Sequence, residues 1–110
     1  MTDRQRDSAE PISSQLVQED ASFADIVEEF LQGMPECIER LEAALAGADF
    51  ENLRRQAHQL KGSGGGYGYP DLTDLAARVE QHAIAGQLEA CAAGLAKLKD
   101  IVSRLVVSLD

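Results

Sequence analysis

From Leu88 to Leu109 the apolar residues Leu88, Cys91, Leu95, Leu98, Val102, Leu105 and Leu109 recur at alternating spacings of three and four. That interval follows one side of an α-helix and fits no strand, whose faces repeat every second residue. A helix with so narrow a seam must bury it against other helices. Three earlier segments carry the same device. Phe23, Ile26, Val27, Phe30, Leu31, Met34, Ile38, Leu41 and Leu45 form one stripe, and Phe50, Leu53, Ala57, Leu60 and Gly64 a narrower one. Leu72, Leu75, Ala76, Val79 and Ala83 make the remaining stripe. The links at Gly47 and Gly86 are short, which favours antiparallel neighbours. The expected fold is therefore all-α, an antiparallel up-down-up-down four-helix bundle. No strand pattern of useful length competes, and no internal repeat period is evident.

Punctuation residues set the boundaries. Residues 1–11 are polar and charged, close on Pro11 and read as a disordered segment, leaving residues 12–110 for the bundle domain. Ile12 to Glu19 reads as a short capping helix with Ser13 or Ser14 near its start. The first long helix is expected from Ser22, as N-cap, to Leu45, with a kink or short break at Gly33 and Pro35. Gly47 then serves as a left-handed cap, and Asp49 caps the second helix. That helix runs into Gly62-Ser63-Gly64-Gly65-Gly66, where each glycine costs about 1 kcal/mol against alanine, so it is expected to fray or stop past Lys61. Pro70 suits the first position of the third helix, Gly86 ends it, and the fourth spans about Gln87 to Leu109.

At 110 residues the chain makes one domain. No apolar run approaches a membrane span, and Met1 to Glu10 lack the apolar stretch of a secretory signal, so a cytoplasmic protein is expected. The formal net charge of −9 argues against nucleic acid or an anionic membrane as partner. Cys37 and Cys91 lie far apart without a C-x-x-C pattern and read as small core residues rather than metal ligands or a disulfide. The charge is unevenly spread. Asp25, Glu28, Glu29, Glu36, Glu39 and Glu42 face only Arg40, whereas Leu53 to Gly64 hold Arg54, Arg55 and Lys61 and no acid. Such a basic island either meets a phosphate or an acidic partner face, or balances the acidic helix beside it.

His58 stands inside that island. At roughly 100° per residue it points away from the Leu53-Ala57-Leu60 seam, and Arg54, Arg55 and Lys61 lie three or four residues from it. A neutral imidazole is nucleophilic, and neighbouring cations suit a group that receives a phosphoryl and hands it over. The glycine run does not form a nucleotide loop: Tyr67 stands where G-x-G-x-x-G needs its last glycine, and Lys61-Gly62-Ser63 reverses the Gly-Lys-Ser order. Small residues there instead permit close helix packing.

The run Ala57-His58-Gln59-Leu60-Lys61-Gly62-Ser63, followed by Gly68 and then Leu72, Leu75, Ala76 and Glu80, resembles the histidine phosphotransfer (HPt) domain, over about residues 20–108. The resemblance implies a free-standing phosphorelay intermediate in two-component signalling, without ATP-dependent kinase activity. It implies His58 as phosphoacceptor through Nε2, Lys61 as the cation that meets the phosphate, and Gly62 as clearance for a partner. Arg54 and Arg55 support the site. Glu80 either orients the inner ring nitrogen or is an ordinary exposed helix glutamate. Partners would be receiver domains of response regulators and hybrid histidine kinases, with magnesium on the receiver only and no cofactor or metal on this chain, which is expected to be a monomer. Tyr67 and Tyr69 depart from the smaller residues often found there, as a plug beside the His58 helix or an aromatic docking edge. The competing function is a non-catalytic bundle that binds a kinase or receiver as scaffold or inhibitor.

Overall fold

The computed structural model describes residues 10–109. The disordered segment expected over residues 1–11 lies outside them except for Glu10 and Pro11. The described chain runs through β1 (Ile12–Ser13), α1 (Gln15–Glu19), a 3₁₀ turn (Ala21–Phe23), α2 (Ala24–Gln32) and α3 (Met34–Ala46). It continues through α4 (Phe50–Gly66), α5 (Pro70–Ile84), α6 (Leu88–Arg104) and β2 (Leu105–Val106). The fold is mostly helical. Helix α3 packs on α4 and α6, α4 on α5, and α5 on α6, so four long helices close a ring around one core. That core is the meeting of the seams: Leu41, Leu53, Leu60, Leu72, Val79 and Leu98 are all buried. Cys37 and Cys91 are buried free thiols among them, and burial raises both thiol pKa values.

Several boundaries differ from the sequence expectation, each for a local reason. Asp20, not Ser22, takes the capping role: its carboxylate accepts the Ser22 N–H at 3.0 Å and winds Ala21–Phe23 into the 3₁₀ turn. The break expected at Gly33 and Pro35 is present: it divides the long first helix into α2 and α3, and Pro35 occupies the first turn of α3, where a missing N–H costs nothing. Gly47 is not left-handed (φ −90°). Helix α3 runs to Ala46, and Ala48 takes the positive φ of 51°, which lets the Asp49 N–H reach the Ala44 carbonyl at 2.9 Å. Asp49 then caps α4 by accepting the Asn52 N–H at 3.1 Å.

Helix α4 stops past Lys61, as expected, but only at Gly66, the last residue of the glycine run. Tertiary contact outweighs propensity here. A Cβ on Gly64 would lie 3.0 Å from the Thr73 hydroxyl and 3.3 Å from Leu72 Cβ, so the bare backbone is what brings α5 this close. Thr73 Oγ1 then donates to the Lys61 carbonyl at 2.7 Å. Moving from Gly64–Thr73 to His58–Glu80, numbers fall on α4 as they rise on α5, so this pair is antiparallel.

The fourth helix ends at Arg104, and Leu109 is exposed rather than part of the seam. Leu105–Val106 turns extended, as the β-branched Val106 and Val107 favour, and pairs in parallel with Ile12–Ser13, a strand pairing the sequence did not suggest. This clip secures α1 against the turn between α4 and α5. The buried Ser14 hydroxyl accepts the Val17 N–H at 3.2 Å and donates to the Tyr67 carbonyl at 2.7 Å. Gln15 N–H donates to the Gly68 carbonyl at 2.9 Å, and Tyr69 Oη to the Val106 carbonyl at 2.7 Å.

Gly68 sits where these contacts converge, at φ +93°, and a Cβ there would fall 2.5 Å from Leu16 N and 2.5 Å from Ser14 Oγ. Backbone strain and overpacking therefore act together. Gly68→Ala is expected to destabilise the fold by about 2–4 kcal/mol in urea denaturation; a change below about 0.5 kcal/mol would show that α1 does not dock as described.

Candidate functional site

Helix α4 places His58 on its outer side because Leu53, Ala57 and Leu60 claim the inner one. The imidazole is 61% exposed, and its Nδ1 lies 2.9 Å from Oε2 of Glu80 on α5. The other carboxylate oxygen, Oε1, lies 2.8 Å from Lys61 Nζ, one turn along α4 from His58. Glu80 itself is only 8% exposed, although its neighbours on both sides reach solvent. It is not an ordinary surface glutamate.

The Lys61 ammonium, and then the His58 hydrogen bond, hold the Glu80 carboxyl below the usual carboxylate range against the opposing effect of burial. An ionised carboxylate can only accept, so His58 Nδ1 must carry the proton and donate it. In the neutral ring the lone pair then belongs to Nε2, on the far side of the imidazole. The geometry thus selects both the tautomer and the atom available for nucleophilic attack.

The structure brings His58, Lys61 and Glu80 together but ties the two arginines elsewhere. Arg54 pairs with Glu51 at 2.9 Å and Arg55 with the same carboxylate at 3.6 Å, which lowers the Glu51 pKa. The basic island is therefore compensated by Glu51 and Glu80. Glu51 is the residue missed by sequence reasoning, although its i,i+3 and i,i+4 spacing to the arginines was a readable signal. Thr73, which fixes the Lys61 carbonyl, had no comparable signal. Gly62 is exposed, and a Cβ built on it meets nothing within 4 Å.

Tyr67 and Tyr69 both stack on Phe30, with ring centroids 4.4 Å and 6.2 Å away. Tyr69 is fully buried, and burial pushes its phenol up to about 12, so it is a plug in the core. His82, with Nδ1 3.0 Å from Gln87 Oε1, takes no part in the site. Among the described residues no group of three or more His, Cys, Asp or Glu side chains could hold a metal ion. None of the described helices is long and apolar enough to cross a membrane.

Fold and site together define a helical domain that presents one carboxylate-oriented imidazole at its surface. A family model for the Hpt domain matches residues 25–107, and the chain belongs to that family. No curated protein and no solved structure matches it. Membership implies histidine phosphotransfer in two-component signalling; Hpt domains carry phosphoryl groups, interact with receiver domains and have no kinase activity of their own.

Because its folded pKa is depressed, Glu80 contributes stability that is complete above the ordinary glutamate value of 4.5 and lost as pH falls through the lower folded value. The stability gap between wild type and Glu80→Gln is accordingly expected to be widest near neutrality and to shrink in acid. Urea denaturation across that range measures it; a gap that widens below 4.5 would refute the assigned ionisation.

Proposed function

We propose that His58 accepts a phosphoryl group from a receiver aspartate and passes it to the aspartate of another receiver, as a relay intermediate on an up-down-up-down antiparallel four-helix bundle. The observation that carries this is the exposed ring whose inner nitrogen donates to a buried, ionised Glu80. The Nε2 lone pair attacks phosphorus, the N–P bond forms, and the bond to the aspartyl oxygen breaks to leave a carboxylate. The ring then carries positive charge, which Glu80 offsets through Nδ1–H. In the second transfer a receiver carboxylate oxygen attacks phosphorus and the N–P electron pair returns to Nε2. No proton needs to leave the ring in either direction.

Lys61 stabilises the phosphoryl oxygens, swinging on its flexible stem from the Glu80 oxygen it holds at 2.8 Å. Arg54 and Arg55 support from the next turn. Gly62 provides clearance: a glycine in a helix interior with open space where Cβ would be serves no packing need. Ile84, one turn past Glu80 and 58% exposed, adds an apolar contact for the partner. The chain acts as a cytoplasmic monomer with no cofactor of its own, and magnesium belongs to the receiver's acidic pocket. Its partners are receiver domains of response regulators and hybrid kinases.

Incubation with a ³²P-labelled phosphoreceiver is expected to label wild type and leave His58→Gln unlabelled. Equal labelling, or a stable receiver complex without phosphohistidine, would instead favour a non-catalytic scaffold. Lys61→Ala should slow transfer on the order of tenfold or more, the worth of one charge-assisted hydrogen bond. Gly62→Ala separates fold from function: it should stabilise the helix by up to about 1 kcal/mol while slowing transfer. Unchanged transfer kinetics in that variant would remove the clearance role.

A further inference from the structure

Arg40, Arg54, Arg55, Lys61, Lys99 and Arg104 are each held by a carboxylate. Arg78 on α5 and Lys97 on α6 have no such partner among the described residues. Both line one groove of about 210 Å³ between these helices, with His82 beside them. In a chain of net charge −9, these two, sharing a groove, are the lysine and arginine side chains without a carboxylate partner among the described residues.

The floor of the groove is made of small residues, Ala90, Ala93 and Gly94. At Gly94 the helices run so close that a Cβ would lie 2.7 Å from Val79 Cγ2. Past Leu75 and Lys97 the groove continues into a depression of about 440 Å³ that reaches Ile101 and Arg104. Its acid, Asp100, is already bound to Arg104 at 3.1 Å. From Ala90 to Arg104 the α6 wall is roughly 20 Å long at the helical rise. Arg78 and His82 each lie two residues from Glu80, so they face about 160° around α5 from the His58 side. This surface is distinct from the phosphoacceptor.

We propose that the α5–α6 groove docks an acidic helical segment of a partner protein. The free cations call for carboxylates, the small-residue floor lets a helix backbone lie close, and the length suits about four turns rather than a small anion. Occupancy there leaves His58 open, so a partner can be held while phosphoryl transfer proceeds on the other face.

The test titrates the full ¹⁵N-labelled chain, at low salt, with an alanine-rich helical peptide of about 14 residues carrying glutamates at i,i+4 spacing. Amide shifts are expected to gather at Arg78, His82 and Ala90 to Lys97, and a matched lysine peptide should not bind. Arg78→Glu combined with Lys97→Glu should raise the Kd at least tenfold while ³²P transfer to His58 is unchanged. The proposal fails if shifts gather at Arg54 and Arg55, or if the double variant binds equally well. It also fails if inorganic phosphate alone reproduces the shifts, or if the groove is instead covered by a second copy of this chain in sedimentation.

Discussion

A carboxylate withdrawn from water is tolerated only when its oxygens are engaged, and Glu80 meets that condition with one oxygen toward His58 and the other toward Lys61. Three properties of the site follow from this single group. The ammonium keeps the carboxyl ionised; the ionised carboxyl dictates which ring nitrogen holds the proton; and the contact ties α4 to α5 at the level of the proposed phosphoacceptor. The imidazole is exposed yet oriented, which an unsupported surface histidine is not. Lys61 is likewise prepositioned, one turn along the same helix.

The orientation depends on how closely α5 approaches α4, and the glycine run sets that distance. Gly64 and Gly65 face Thr73 and admit the neighbouring backbone, whereas Gly62 and Gly66 face open space. One short sequence thus packs a helix on one side and leaves the other side bare. Beyond it the chain is clasped by Ser14, Gly68 and Tyr69, with Tyr69 Oη reaching Val106 near the far end of the chain. The clasp fixes the start of α5, and through α5 the height of Glu80 opposite His58.

Much of this was legible in the residue order. The seams located the helices, and angular spacing alone turned His58 outward. Features that depend on two distant segments were not legible. The Ile12–Ser13 pairing with Leu105–Val106 is too short for an alternating pattern to reveal; Leu105 leaves the helix yet still packs against the core, and Leu109 is left exposed. Ala48 took the left-handed position that Gly47 was suited to, because the hydrogen bond from Asp49 to Ala44 sets where the helix ends. Where in the glycine run the helix would end was not legible, because propensity counts only the local cost and the compensating contact comes from Thr73. Glu80 could be matched to its position by resemblance, but its grip on Lys61 required the two helices in register.

The resting state of the cations bears on how a carrier works. In the proposed relay the phosphoryl group must be accepted and then surrendered, so holding it too firmly defeats the purpose; binding that favours the loaded state over the transition state lowers the rate of the next step. Three free cations around the ring would make such a trap. Here Arg54 and Arg55 answer to Glu51, and Lys61 to Glu80, so an arriving phosphoryl group gains each cation only in competition with a carboxylate already in place. The exchange keeps stabilisation of the loaded ring modest while leaving a lysine near the developing charge in both transfers. An acidic counterpart for every cation around His58 is, on this argument, part of what lets the histidine give the group away.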